Sequence, residues 1–156
     1  MEARVRLWRL TRAPYVALDG AGAALNGSRY VPPGEPVVSL ASEAGLAVLV
    51  TLRYLPQDLA GVADDYVLGW TEVSALPLRV PMGSDDAIRS WTTQWLAERR
   101  SLLAAVPSKV LPEADVVLLN TRHPDAAAVA PLITRPFSFA ECLHRPPMFE
   151  NYRSGQ

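Results

Sequence analysis

The stretch PVVSLASEAGLAVLVTLRYLP, residues 36–56, decides the fold class. Its first part, PVVSLA, is apolar and rich in valine, which predicts a buried strand. Ser42 is suited to the N-cap of a helix that runs from Glu43 to about Tyr54, in which apolar residues recur at helical spacing. A buried strand that leads directly into an amphipathic helix indicates a domain of mixed α and β structure.

The same patterns, read outward from this stretch, predict further strands and helices. Alternating or continuous apolar runs predict strands at ARVRLWRL (3–10), DDYVLGWTEV (64–73), LLAAV (102–106), DVVLLN (115–120) and RPFSF (135–139). Helical patterns fall at 21–25 (one turn), at 85–100 after a capping Ser84, and at 124–133 after Pro124. Short separate strands with few crossover helices predict an α+β fold, a compact mixed or antiparallel sheet with flanking helices.

Composition excludes several classes of protein. The 156 residues are 49% hydrophobic and 20% charged, which is typical of one globular domain. A net charge of −1 argues against a broad nucleic-acid-binding surface. One cysteine, Cys142, and two histidines, His123 and His144, predict neither a disulfide nor a metal cluster. No apolar run is long enough for a signal peptide or a membrane span, so we expect a cytoplasmic protein.

Two arginines are candidates for anion binding. Arg9 follows a tryptophan within the first predicted strand, and Arg29 lies in the glycine- and proline-rich loop NGSRYVPPG beside Tyr30. Both residues have an ordinary interpretation as solvent-exposed arginines. The alternative is that each guanidinium binds a phosphate group, for which its planar set of donors is well suited.

The remaining polar candidates have strong structural interpretations. Ser108 follows Pro107 in a predicted turn, Asn120 ends a strand where it could cap the next helix, and His123 precedes a proline. Trp91 and Trp95 are four residues apart on a predicted helix, which favours a place in the core. From local pattern alone, none of these residues identifies a reaction.

Motif order and spacing identify a family. Residues 7–42, LWRLTRAPYVALDGAGAALNGSRYVPPGEPVVSLAS, and residues 95–126, WLAERRSLLAAVPSKVLPEADVVLLNTRHPDA, resemble RES-domain proteins. The family pattern has an aromatic–Arg pair, Asp-Gly-x-Gly-Ala, Gly-x-Arg-Trp, a Val-Val-Tyr-Leu-Ala strand and a helix bearing Leu-Glu. Val-Pro-Ser and Asn-x-x-His-Pro follow, so that the resemblance spans residues 7–139.

The resemblance implies a bacterial toxin of the Xre/RES toxin–antitoxin class. Such toxins cleave the nicotinamide–ribose bond of NAD+, by hydrolysis or by phosphorolysis with inorganic phosphate as co-substrate, and carry no prosthetic group. Their fold resembles that of ADP-ribosyltransferase toxins. An Xre-like antitoxin would cover the NAD+ cleft, and DNA binding would belong to the antitoxin. Whether the toxin forms a homodimer within that complex is an open question. Residues 1–140 would form the NAD+-binding domain, and residues 141–156 a tail whose order stays open.

The resemblance also assigns residues. Arg9 and Arg29 fall on the two family arginines implicated in NAD+ binding, and Ser108 falls on the family serine, which assigns it a catalytic role. Tyr30 stands where the family has tryptophan, and Asn120 begins the Asn-x-x-His-Pro turn. Tyr30 and Asn120 are therefore assigned to NAD+ binding together with the two arginines.

Two positions depart from the family pattern. Ser39 stands at the strand tyrosine and Val50 at the catalytic glutamate of the helix. Glu43 lies about two helical turns from Val50, roughly 10 Å, and Glu72 is a second distant carboxylate. Three hypotheses stay open: a toxin that uses a displaced carboxylate, a weakened or inactive form, natural or engineered, that keeps antitoxin binding, and a structural module without a ligand.

Overall fold

The computed structural model, which describes residues 3–56 and 58–143, is built around a seven-stranded sheet. The strands in chain order are β1 (Val5–Arg12), β2 (Val37–Ala41), β3 (Tyr66–Val73), β4 (Leu78–Arg79), β5 (Leu103–Pro107), β6 (Asp115–Asn120) and β7 (Ile133–Pro136). Their spatial order is β4-β5-β6-β2-β1-β3-β7. Only β4 and β5 are parallel; the other neighbours are antiparallel. The predicted α+β class with a mixed sheet is therefore confirmed.

In the described part of the chain, four α-helices accompany the sheet: α1 (Ala21–Asn26), α2 (Ala44–Leu52), α3 (Asp85–Glu98) and α4 (Phe139–Cys142). The cap predicted for α3 is confirmed, because the Oγ of Ser84 accepts a hydrogen bond from the amide of Ala87 at 3.2 Å. The core position predicted for Trp95 is also confirmed: its side chain is fully buried, and its Nε1 donates to the Oγ of Ser101 at 2.8 Å.

Three local predictions are wrong. Ser42 does not cap α2, because its Oγ instead accepts from the amide of Asp115 at 2.9 Å, and the helix begins at Ala44. The helix predicted at 124–133 is a five-residue 3₁₀ helix, Pro124–Ala128. The final strand lies earlier than predicted, at β7, and Phe139 begins a short helix. The boundary predicted at residue 140 falls inside α4, and residues 144–156 lie outside the described part of the chain.

Strand β2 determines where a cleft can form. Its alternate residues Val37, Ser39 and Ala41 point to one face of the sheet. Val37 packs into the cluster that includes Trp95 of α3, and Ala41 packs into the cluster that includes Leu46 of α2. Ser39 belongs to neither cluster and is only half-buried. The sheet surface at Ser39 is therefore left open between the two helices.

Strands β1 and β2 separate next to this gap. They share one register pair, Trp8 opposite Ala41, whereas β1 pairs with β3 along its whole length from Val5 to Arg12. Beyond Trp8, the Nη1 of Arg9 donates to the backbone carbonyl of Ser39 at 2.8 Å. The guanidinium of Arg9 thus donates a hydrogen bond to the carbonyl of Ser39, at a place where the backbone amide of a neighbouring strand would otherwise do so.

Candidate functional site

A cleft of about 760 Å³ lies over the sheet, between the C-terminal part of α2 and the loop that follows α1. Its floor is the sheet around Ser39, and one wall is the C-terminal half of α2 with Val50. The loop after α1 and the loop after β5 complete it. The lining residues are Asn26, Gly27, Ser28, Arg29, Tyr30, Ser39, Val50, Arg53, Tyr54, Pro107, Ser108, Lys109, Val116 and Leu118.

Five of the predicted site residues line this one cleft: Arg29, Tyr30, Ser39, Val50 and Ser108. They come from four separate segments of the chain, namely a loop, β2, α2 and the turn after β5. The guanidinium of Arg29 lies 5.6 Å from the centre of the Tyr30 ring, and that ring is buried. The predicted residues therefore converge on one cleft.

Arg9 does not line the larger cleft itself, although it contacts Ser39 through the hydrogen bond described above. It lines an adjoining cleft of about 400 Å³, which shares Ser39, Val50 and Tyr54 with the larger one. Its Nε is buried and has no hydrogen-bond partner among the described residues. Burial lowers the pKa of Arg9, and the nearby carboxylate of Asp19 partly offsets this. A guanidinium remains protonated at neutral pH even so, which leaves a buried positive charge beside the cleft.

Asn120 does not line either cleft, and the binding role predicted for it is not supported by its position. Its side chain is 1% exposed and both of its polar atoms are used within the protein. The Nδ2 donates to the carbonyl of Leu96 at 3.4 Å, and the Oδ1 accepts from the amide of Arg122 at 3.1 Å. Asn120 therefore stabilises the turn after β6. The structural interpretation expected it to cap the next helix, but it does not, because the side chain of His123 takes that place.

Ser108 is placed to act as a donor in the cleft. Its Oγ accepts a weak hydrogen bond from the amide of Val110 at 3.3 Å, and its own amide donates to the carbonyl of Ala114 at 2.9 Å. These contacts fix the serine at the cleft wall, where 6% of the residue is exposed. Within the described part of the chain its hydroxyl proton has no acceptor, so that it can donate to a ligand.

Among the lining residues that the sequence patterns did not identify, three have a charged or phenolic side chain: Arg53, Tyr54 and Lys109. The Nζ of Lys109 lies 2.6 Å from one carboxylate oxygen of Asp85, and the Nη2 of Arg29 lies 3.3 Å from the other. Arg53 makes no ion pair with another described residue. Exposed charges carry no periodic signal, which is why sequence reasoning did not find them.

The cleft is electropositive. None of the residues described as lining the two clefts is an aspartate or a glutamate, while Arg9, Arg29, Arg53 and Lys109 each contribute a cation. Asp85, which pairs with Arg29 and Lys109, and Asp19, which lies near Arg9, are outside this lining and neutralise only part of that charge. Such a site favours an anionic ligand and does not favour a developing cation.

The ion pairs of Asp85 with Lys109 and Arg29 lower the pKa of this carboxylate. A hydrogen bond from Lys109, and secondarily one from Arg29, lowers the pKa of Asp85 below its ordinary value of 3.8. Because the folded-state pKa of Asp85 is depressed, its ion pair with Lys109 stabilises the fold at pH values above 3.8. This contribution is lost as the pH falls through the folded-state pKa. Lys109→Met is expected to raise the pKa of Asp85 in a carboxyl-carbon NMR titration.

Asp65 provides an internal control for that titration. Its pKa is lowered by a two-pronged hydrogen bond from Arg12, at 2.8 and 2.9 Å, on another part of the sheet. The pKa of Asp65 is expected to be identical in Lys109→Met and the unmodified protein. If the pKa of Asp85 were the same in Lys109→Met as in the unmodified protein, the contact between Asp85 and Lys109 would be contradicted.

Two further properties bear on the kind of site. In the residues that the structure describes, no group of three or more metal-ligating side chains comes together. No helix among them is long and apolar enough to cross a bilayer.

The comparison with protein families decides the relationship. The RES domain matches residues 6–140, which is most of the chain. The protein belongs to the RES-domain family. The resemblance expected from the motifs is thus confirmed, and the cleft described above is the cleft of a RES domain.

Curated relatives agree with this assignment. The Prs ADP-ribosylating toxin of Sphingobium sp. (strain YBL2) is 36% identical over 125 residues, which cover 72% of this chain and 77% of that protein. Toxin Res of Photorhabdus laumondii subsp. laumondii is 30% identical over 139 residues, covering 76% and 83%. Toxin Res of Yersinia enterocolitica is 31% identical over 147 residues, covering 86% and 95%.

A solved structure shares the fold of this RES domain. A chain in the crystal structure of the M. tuberculosis MbcT–MbcA toxin–antitoxin complex superposes with a TM-score of 0.67 over 88% of this chain and 86% of that chain. Sequence identity is 17%, so this likeness shows the fold alone.

Proposed function

We propose that this RES-domain protein is the toxin of a toxin–antitoxin pair, that its cleft binds NAD+, and that it cleaves the nicotinamide–ribose bond only slowly. The toxin role is supported by three curated relatives named as toxins and by the toxin–antitoxin complex that shares the fold. The partner would be an Xre-like antitoxin that covers the cleft, with DNA contacts left to the antitoxin.

Binding of a dinucleotide is supported by the size and charge of the cleft. Its volume of about 760 Å³ lies within the usual range for ligand sites, roughly 300–1,000 Å³. Arg29 offers a planar set of donors that matches phosphate oxygens, and it lies beside the aromatic ring of Tyr30. The single observation that carries the proposal is this cationic cleft in a RES domain.

Slow cleavage is supported by the lining at Val50. Breaking the bond to nicotinamide develops positive charge on the ribose, which a nearby carboxylate stabilises. Val50 cannot supply a negative charge, and none of the described residues that line the two clefts is an aspartate or a glutamate. Glu72 is engaged by Arg6 at 2.7 Å, and neither it nor Glu43 lines the cleft. The acceptor for the ribose, whether water or inorganic phosphate, would then attack an unstabilised centre.

NAD+ titration by isothermal calorimetry tests the binding proposal. We expect the unmodified protein to bind NAD+, and Arg29→Met to raise the Kd by about tenfold or more, because a charged hydrogen bond to phosphate is lost. Arg135→Met is the matched control: Arg135 is an exposed residue of the edge strand β7, distant in the sheet from β2, and its Nη1 bonds only to the carbonyl of Pro136 among described groups. Absence of binding at millimolar NAD+ would contradict the proposal and favour a structural module.

The second candidate function is a catalytically inactive RES-fold protein that retains antitoxin binding. It is favoured by the resemblance, which puts Ser39 at the position of the family tyrosine and Val50 at that of the family glutamate; both residues line the larger cleft. Nicotinamide release by the purified protein separates the two candidates. A slow release that scales with protein concentration supports the toxin, and no release under the same conditions supports the inactive form.

A further inference from the structure

Lys109 has an unusual position for a charged surface residue. It is the only lysine in the chain, whose other cationic side chains at neutral pH are fourteen arginines. It follows Ser108 directly and lines the larger cleft. Its side chain is 49% exposed, which leaves the ammonium group accessible to a ligand.

Three segments of the chain meet at this ammonium group. Lys109 lies after β5, Asp85 begins α3, and Arg29 follows α1. One carboxylate oxygen of Asp85 accepts from the Nζ of Lys109 at 2.6 Å, and the other accepts from Arg29 at 3.3 Å. The shared carboxylate thus holds two cations beside each other at the cleft wall.

The charges of this group do not balance. One carboxylate neutralises one of two cations, which leaves an excess of one positive charge facing the cleft. The ammonium group has three N–H donors and uses one of them on Asp85, and the guanidinium likewise keeps donors to spare. Exposed ion pairs contribute only about 0–1 kcal/mol to stability, so that stability alone gives little reason for this arrangement.

We propose that Lys109 is a further phosphate-binding residue of the cleft, held by Asp85 beside Arg29, and that it contacts a phosphate group of the bound nucleotide. This inference rests on the proposed binding of NAD+. A compact ammonium on a flexible stem binds phosphate oxygens as a point charge, whereas Arg29 binds them through a planar set of donors. The two residues would therefore engage the same pyrophosphate from adjacent positions.

Calorimetric titrations with NAD+ and with inorganic pyrophosphate test this role. We expect Lys109→Met to raise the Kd of both ligands by about tenfold, and Lys109→Arg to restore binding to within about threefold. Arg135→Met again serves as the control and is expected to leave both values unchanged. Thermal melting of each variant identifies any loss of folding.

The outcomes separate this inference from the proposed function. If the unmodified protein binds NAD+ and Lys109→Met binds it equally well, the role of Lys109 is overturned and NAD+ binding stands. If pyrophosphate binds in a Lys109-dependent way but NAD+ does not, the anion site stands and the proposed function falls. If neither ligand binds, both are overturned.

Chemical labelling of the unmodified protein provides a second measurement that needs no variant. Because Lys109 is the only lysine, an acetylating N-hydroxysuccinimide ester modifies it and the amino terminus alone among the amines. Peptide mass spectrometry is expected to show Lys109 acetylated at least fivefold more slowly in saturating NAD+, while the amino terminus reacts at the same rate. Equal rates at Lys109 with and without bound NAD+ would overturn the contact.

Discussion

Val50→Glu is expected to raise the rate of nicotinamide release from NAD+ by about 10²–10⁴-fold over the unmodified protein. This range corresponds to a barrier lowered by roughly 3–5.5 kcal/mol. The physical reason is that Val50 lines both clefts next to Ser39, so that a carboxylate there would lie beside the ribose as positive charge develops. Steady-state assays with purified protein, with and without inorganic phosphate, measure the gain and identify the acceptor.

Two variants control for this gain. Val50→Gln has nearly the shape of the glutamate variant without its charge, and it is expected to show little increase. Leu49→Glu adds the same charge to the neighbouring residue of α2, which is 41% exposed and lines neither cleft. A rate for Val50→Glu no greater than that of these controls would show that the catalytic carboxylate is misplaced.

Gly20→Ala is expected to lower the free energy of unfolding by about 2–4 kcal/mol. Gly20 has a φ of +69°, and a Cβ at this position would lie 2.4 Å from the carbonyl carbon of Pro36 and 2.6 Å from the amide of Val37. Those atoms are backbone at the start of β2 and cannot move aside without shifting the strand. Urea unfolding measures the loss.

Gly22→Ala is the matched control for that substitution. Gly22 lies two residues later, inside α1, where an added Cβ would meet no atom within 4 Å. Alanine is favoured over glycine in a helix by about 0.5–1 kcal/mol, so that this variant is expected to be slightly more stable. Equal stability of the two variants would contradict the close approach of α1 to β2, which positions the loop bearing Arg29.

Much of the fold follows from local pattern. Strands β1, β2, β3, β5 and β6 and helix α3 form where apolar periodicity and end signals agree. Strand β4 has two residues, too few for a period, and was missed. The cap predicted at Ser42 is wrong because the amide of Asp115, which is distant in the sequence, donates a hydrogen bond to the hydroxyl oxygen of Ser42. The errors therefore occur where contacts distant in sequence decide the outcome.

The site was predictable only through the order of its motifs. Arg29, Ser39 and Ser108 are far apart in the sequence, and no periodicity indicates that they line one cleft. Asn120 belongs to the Asn-x-x-His-Pro motif, but its side chain bonds to Leu96 and Arg122 within the protein. Only its hydrogen bonds in the structure reveal this. The one feature of the sequence that distinguishes Lys109 is that it is the only lysine. This feature points to the cleft only when the structure shows that Lys109 lines it.

A crystal structure of the unmodified protein with NAD+ most directly tests whether the cleft binds the dinucleotide without efficient cleavage. We expect an intact dinucleotide in the larger cleft, with its pyrophosphate against Arg29 and the nicotinamide ribose between Ser39 and Val50. An intact dinucleotide bound elsewhere, or ADP-ribose and nicotinamide formed as fast as in Val50→Glu, would contradict this expectation.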